Sequence, residues 1–131
     1  MIAGHIDEDW QAIVPLIARH GHQKDRNETI DFLIDTGFTG FLSLSPEWVQ
    51  KLDLSVIDIQ RGMTADGRVS YFETVDVCIL WHDQPRVIRA QVLDEPLIGT
   101  RLLRLHQTSL KWVTGERFEL QSVPESSDHN E

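Results

Sequence analysis

Phe32-Leu33-Ile34-Asp35-Thr36-Gly37-Phe38-Thr39-Gly40-Phe41-Leu42-Ser43-Leu44-Ser45 is the stretch on which the reading of this chain turns. Phe32, Leu33 and Ile34 form a short, continuous apolar run, the pattern of a strand buried on both faces. Such a run delivers a single carboxylate, Asp35, into a tight turn. A carboxylate placed there is poorly solvated and costly to keep charged unless neighbouring donors hold it. Thr36, Gly37 and Thr39 supply candidate donors, and Gly37 lets the backbone turn sharply enough to bring an amide to the carboxylate. On its own, Asp35-Thr36-Gly37 reads most simply as a strand-to-turn junction that an aspartate caps.

The order of the remaining segments changes that weighing. Pro96-Leu97-Ile98-Gly99-Thr100-Arg101-Leu102-Leu103 is a second apolar segment ending in glycine, followed by a run compatible with a helix. Between the two lies a hairpin with its tip at Ala65-Asp66-Gly67, where Asp-Gly is a strong turn signal. Ser45-Pro46-Glu47-Trp48 is a helix start, with Ser45 at the N-cap and Pro46 at the first helical position. Taken together and in this order, the pieces resemble the retropepsin-like aspartic proteases, in particular the small bacterial members whose signature reads Asp-Thr-Gly-Phe. The resemblance runs from about Met1 to Leu120.

The resemblance implies a mainly β fold, a closed or partly open barrel with one or two short helices and one lobe per chain. It implies a domain over 1-123, leaving 124-131 as an acidic tail expected to be disordered. It also implies an aspartic endopeptidase in which Asp35 is catalytic and Thr36, Gly37 and Thr39 support its turn. Ala65, Asp66 and Gly67 would close over an extended peptide substrate, and Ile98 and Gly99 would back the catalytic turn. No cofactor or metal is needed for that chemistry. Asp35-Thr36-Gly37 occurs once, so the second carboxylate must come from an identical chain across a two-fold axis. Asp31 cannot stand in for it, because four residues along a strand separate two side chains by roughly 13 Å. A homodimer is therefore a chemical requirement of the protease reading, with Met1 to Ile6 and Arg117 to Val123 as candidate interface strands. The alternative from another class is a non-catalytic dimer of the same fold that acts as a binding or assembly module.

Composition narrows the partners independently. Among 131 residues, 21 Asp and Glu outweigh 12 Lys and Arg, and no basic cluster interrupts them, which argues against nucleic acid. Cys78 is the one cysteine, so an internal disulfide and a cysteine-rich metal site are both excluded. Its expected state is a buried, inert thiol. No apolar run has the length to span a bilayer and no leader pattern opens the chain, which makes a cytoplasmic protein without a membrane partner the expectation.

In chain order, the pattern predicts strands over Met1 to Ile6, loosened by Gly4, and over Gln11 to Arg19, where Pro15 argues for an edge or a bulge. His20-Gly21-His22 reads as a solvated loop rather than a metal site. A helix from Ser45 to about Asp53 precedes a strand from Ser55 to Thr64. Val69, Tyr71, Val75, Val77, Ile79 and Trp81 then alternate as a long half-buried strand. His82 falls in a turn and reads as solvated, Val87 to Leu93 returns as strand, and Thr100 to His106 suits a helix. Leu110 to Val113 and Arg117 to Val123 are expected to pair as a final hairpin about Thr114-Gly115. Retroviral relatives place an acid and an arginine where this chain has Thr39 and Thr100, so their structural ion pair is absent here.

Overall fold

A computed structural model describes residues 2–21, 25–63 and 66–124. His22, Ala65 and the tail from 125 onward lie outside the described residues. Strand propensity and alternation set the architecture. In β2 (Ala12–Arg19), Ala12, Val14, Leu16 and Ala18 point into the core while Pro15 and Ile17 face out. β3 (Glu28–Ile34) buries Ile30 and Phe32 completely, and all three residues of β4 (Leu42–Leu44) are buried. α1 (Pro46–Lys51) follows Ser45, which occupies the N-cap position without a capping hydrogen bond from its side chain.

β5 (Val56–Met63) and β6 (Val69–Trp81) form the long hairpin. β7 (Gln84–Val92) pairs with β6 only from Thr74 onward, so the first part of β6 has β5 alone as its neighbour. That outer part is an arm with exposed Ile59, Met63 and Tyr71. The inner part of β6 buries Val75, Val77, Ile79 and Trp81, together with Cys78 on its other face. His82 and Asp83 join β6 to β7, both in the left-handed region at φ 52° and 63°, the backbone that a two-residue hairpin turn of the primed type requires.

β8 (Leu97–Ile98), α2 (Thr100–Leu103), β9 (His106–Gln107) and β10 (Arg117–Ser122) complete the chain. The strands are bonded in the order β5-β6-β7-β4-β8-β3-β2-β1-β10-β9, with β1 at Ile2–Ile6. A further pairing of β6 with β2 closes β6, β7, β4, β8, β3 and β2 into a six-stranded barrel. The protein is mainly β, as expected, and no helix is long and apolar enough to cross a membrane.

Four local expectations are corrected. β2 is central rather than an edge: it lies between β1 and β3, and it tolerates Pro15 because its ladder with β1 extends only over His5↔Ile13 and Ile6↔Ala12. Gly4 does not loosen β1; the Phe118 ring lies over it where a side chain would otherwise stand. α2 stops at Leu103, because Arg104 is extended and Leu105 turns left-handed at φ 61°, which redirects His106 into β9. Leu110 to Val113 form no strand. The turn after them is bonded to β1, through Gly115 N–H to the Ile6 carbonyl at 2.8 Å and Ile6 N–H to the Glu116 carbonyl at 2.9 Å, so β10 pairs with β1 and β9.

Gly4 provides a direct test of the β1–β10 packing. A Cβ there would stand 2.5 Å from the Ile13 carbonyl oxygen and would also collide with the Cζ edge of the Phe118 ring, and backbone cannot move aside cheaply. Gly4→Ala is expected to lower unfolding free energy by about 2 kcal/mol in urea titrations. An unchanged midpoint would show that this contact is not tight.

Candidate active site

Asp35 leaves the end of β3, and the position of that end is set by a short parallel ladder. Leu33 and Ile34 lie beside Leu97 and Ile98 of β8, with Leu33 N–H donating to the Pro96 carbonyl at 3.1 Å and Asp35 N–H to the Ile98 carbonyl at 3.0 Å. The chain then turns, with Phe38 N–H bonded to the Asp35 carbonyl at 3.1 Å, and returns as β4 along the other side of β8. β8 is therefore gripped between the two arms of the loop that carries the acid.

Three further backbone bonds lock the loop to the segment after β8. Gly99 N–H donates to the Phe41 carbonyl at 3.0 Å, Thr100 N–H to Phe38 at 2.9 Å and Arg101 N–H to Gly40 at 3.2 Å. The lock needs a residue without a side chain at position 99. A Cβ on Gly99 would collide with the Gly40 carbonyl oxygen and lie 2.8 Å from both the ring and the carbonyl oxygen of Phe38. Thr100 also directs its hydroxyl at the Phe38 carbonyl, 3.5 Å away.

Ser43 is a component that the apolar run Leu42-Ser43-Leu44 concealed. It is fully buried, donates its hydroxyl to the Glu95 carbonyl at 2.7 Å and accepts from Leu97 N–H at 3.0 Å. A lone serine between buried leucines was the available signal, because a buried hydroxyl must find partners.

The Asp35 carboxylate is half-buried and accepts a hydrogen bond from Gly37 N–H on Oδ1 at 2.9 Å. Gly37 is the donor that reaches it, whereas Thr36 and Thr39 are exposed. Asp35, Gly37, Ile98 and Gly99 are thus brought together. Asp66 and Gly67 are carried on the β5–β6 arm and take no part in the interlock; Asp66 accepts from Arg68 N–H at 3.2 Å, and Gly67 is left-handed at φ 83°. A hollow of about 290 Å³ lies against the root of that arm, lined in part by Gly40, Phe41, Gln60, Asp76, Arg89 and Arg101. Asp76 and Arg89 form an exposed ion pair at 3.3 Å within it.

Two other turns share the sheet end that carries Asp35. Ile13 pairs with both His5 and Leu33, which puts the Asp7 to Gln11 turn beside the Asp35 turn, and the bonds of Ile6 to Gly115 and Glu116 bring the next turn alongside. Trp10 at 62 % exposure and Trp112 at 59 % belong to these connections, with Val113 equally open. A tryptophan in a polar turn was the signal that sequence reading passed over.

Gly99→Ala is expected to cost about 3 kcal/mol in chemical denaturation, because both obstacles include backbone atoms. A variant of unchanged stability would mean that the grip on β8 is looser than described. No family model matches the chain, and no curated protein or solved structure matches it significantly.

Proposed function

We propose that the chain is one half of a retropepsin-like aspartic endopeptidase and works as a homodimer. The observation that carries the reading is the Asp35 turn: a half-buried carboxylate, oriented by the Gly37 amide, at the end of a strand interlocked with Ile98 and Gly99. Capping a turn does not require a second segment threaded through the loop. Holding a reacting group in one position does.

The chemistry follows from pairing two such turns. Two Asp35 carboxylates at hydrogen-bond distance cannot both ionise cheaply, so they share one proton and titrate as a pair. The ionised member takes a proton from a water held between them while the water oxygen bonds to the peptide carbonyl carbon. The protonated member gives its proton to the carbonyl oxygen, producing a tetrahedral diol. Collapse of the diol breaks the C–N bond, and the nitrogen leaves with a proton returned through the dyad. Thr36, exposed beside the acid, is by resemblance the residue that reaches across to the other copy. The β5–β6 arm would cover an extended peptide and bond to its main chain.

Trp10, Trp112 and Val113 support a second copy at this end of the sheet. Large apolar side chains left open beside a half-site are the residue types that anchor protein interfaces. β1 and β10 are less available for that purpose than the sequence suggested, since they pair with each other over Ile2↔Leu120 to His5↔Arg117.

Two outcomes are expected. Asp35→Asn should remain folded and dimeric yet lose peptide cleavage by roughly 10³-fold or more, measured on a mixed peptide library from acidic to neutral pH. A dimer of the parent protein that cleaves nothing would favour the binding-module reading instead. Trp10→Ser combined with Trp112→Ser should weaken self-association by about 2 kcal/mol or more in sedimentation equilibrium. Undiminished association would move the interface elsewhere.

A further inference from the structure

His82 and His106 were expected, respectively, in a solvated turn and at the end of a helix. Instead, both are half-buried and their Nε2 atoms lie 2.7 Å apart. The ring planes differ by only 8° with centroids 5.0 Å apart. That separation is what the N···N distance plus two ring radii gives when the rings lie end to end in one plane. The contact is therefore an in-plane N–H···N hydrogen bond, at the short end of the usual range. Trp81 meets both rings edge-on, at 5.5 Å and 5.3 Å between centroids, and the Ser122 hydroxyl lies 3.3 Å from His82 Nε2.

The protons can be counted from the partners. His106 Nδ1 lies 2.9 Å from the Arg104 carbonyl oxygen, which only accepts, so Nδ1 carries a proton. When His106 is neutral, its Nε2 is an acceptor and His82 donates. When His106 is charged, its Nε2–H donates and a neutral His82 accepts. One proton lies between the rings in both states. A second proton there would set N–H against N–H and positive charge against positive charge.

We propose that this pair is a proton-operated latch, which holds β9 and the end of β10 to the β6–β7 turn while one proton is shared and releases them when both rings are protonated. Little else secures β9. It contributes two residues, paired as His106↔Ser122 and Gln107↔Gln121, and it follows the left-handed Leu105, whose carbonyl accepts from Val123 N–H at 2.7 Å. Release would uncover the backbone of Gln121 and Ser122, an edge that another strand can pair with.

The groups facing His82 favour the closed state at neutral pH. β1 and β2 present Ile2, Ala3, Pro15, Leu16 and Ile17 near it, none of them charged. β10 offers the neutral Ser122 hydroxyl, and the segment before β9 offers the Arg104 carbonyl. Burial, then the charge of His106, push His82 below its ordinary 6.5, against an upward pull from Asp83. The sign follows: the closed state refuses a proton that an opened or unfolded His82 accepts near 6.5. Stability present above 6.5 is thus lost as pH falls below it.

The test is amide hydrogen exchange of the full chain between pH 7.5 and 5, corrected for the intrinsic pH dependence of exchange. Protection at residues 105–107 and 121–123 is expected to fall below pH 6.5, by up to about ten-fold per pH unit for one coupled proton, while the amides of β3 hold. His106→Gln, which keeps a hydrogen-bonding side chain but carries no charge, should shrink the step, leaving the part that burial of His82 causes. A flat profile in the parent protein, or an equal step in the variant, overturns the proposal. Imidazole ¹⁵N spectra give a readout that needs no variant. Titration of the His82 ring below 6.5, with the proton kept on His106 Nδ1, is expected; titration of His82 at its ordinary 6.5 also overturns the proposal.

Discussion

The parallel contact of Leu33 and Ile34 with Leu97 and Ile98 is the constraint on which the rest of this structure depends. Parallel strands cannot be joined by a tight turn, so the chain must make a long excursion between them. This chain uses the excursion to build β4, α1, the β5–β6 arm and β7 before returning. On its return, β8 fits between the two arms of the Asp35 loop and leaves no room for a side chain at Gly99. Ser43 completes the join from within, bridging the Glu95 carbonyl and the Leu97 amide. An acid at the end of β3 is thereby fixed by contacts from both halves of the chain.

The barrel separates two kinds of surface. Around the interlock, Phe32, Leu42, Leu44 and Ile98 are fully buried, which makes the support for Asp35 rigid. Before Thr74, β6 has β5 as its one strand neighbour, and this arm exposes Ile59, Met63 and Tyr71, so it is less supported than the barrel strands. A fixed acid and a compliant cover are what the proposed hydrolysis of an extended peptide would use.

What was legible in the sequence was local. The Asp35 turn, the helix start at Ser45-Pro46, the hairpin about Asp66-Gly67 and the alternation of β6 each depend on residues within a few positions of one another. What was not legible depends on partners far along the chain. Pro15 sits in a central strand because the β1 ladder stops short of it, a property of β1 and not of Pro15. His82 looked solvated because nothing nearby in sequence announces His106, and His106 looked helical because its apolar neighbours Leu102, Leu103 and Leu105 fit that period. Leu110 to Val113 alternate too little to betray that β10 would choose β1 over them. Within the candidate site, the acid and both glycine positions were readable. The donor to Asp35 was divided among three residues by sequence, and geometry selects the Gly37 amide.

The central claim is that one active site is built from two copies of Asp35, and mixing the parent protein with Asp35→Asn tests it most directly. With total protein held constant and subunits allowed to exchange, a shared site predicts cleavage that falls as the square of the parent fraction, because only parent–parent dimers carry both acids. Cleavage that falls in simple proportion to the parent fraction would mean that each chain acts alone, and the shared-site account would be wrong.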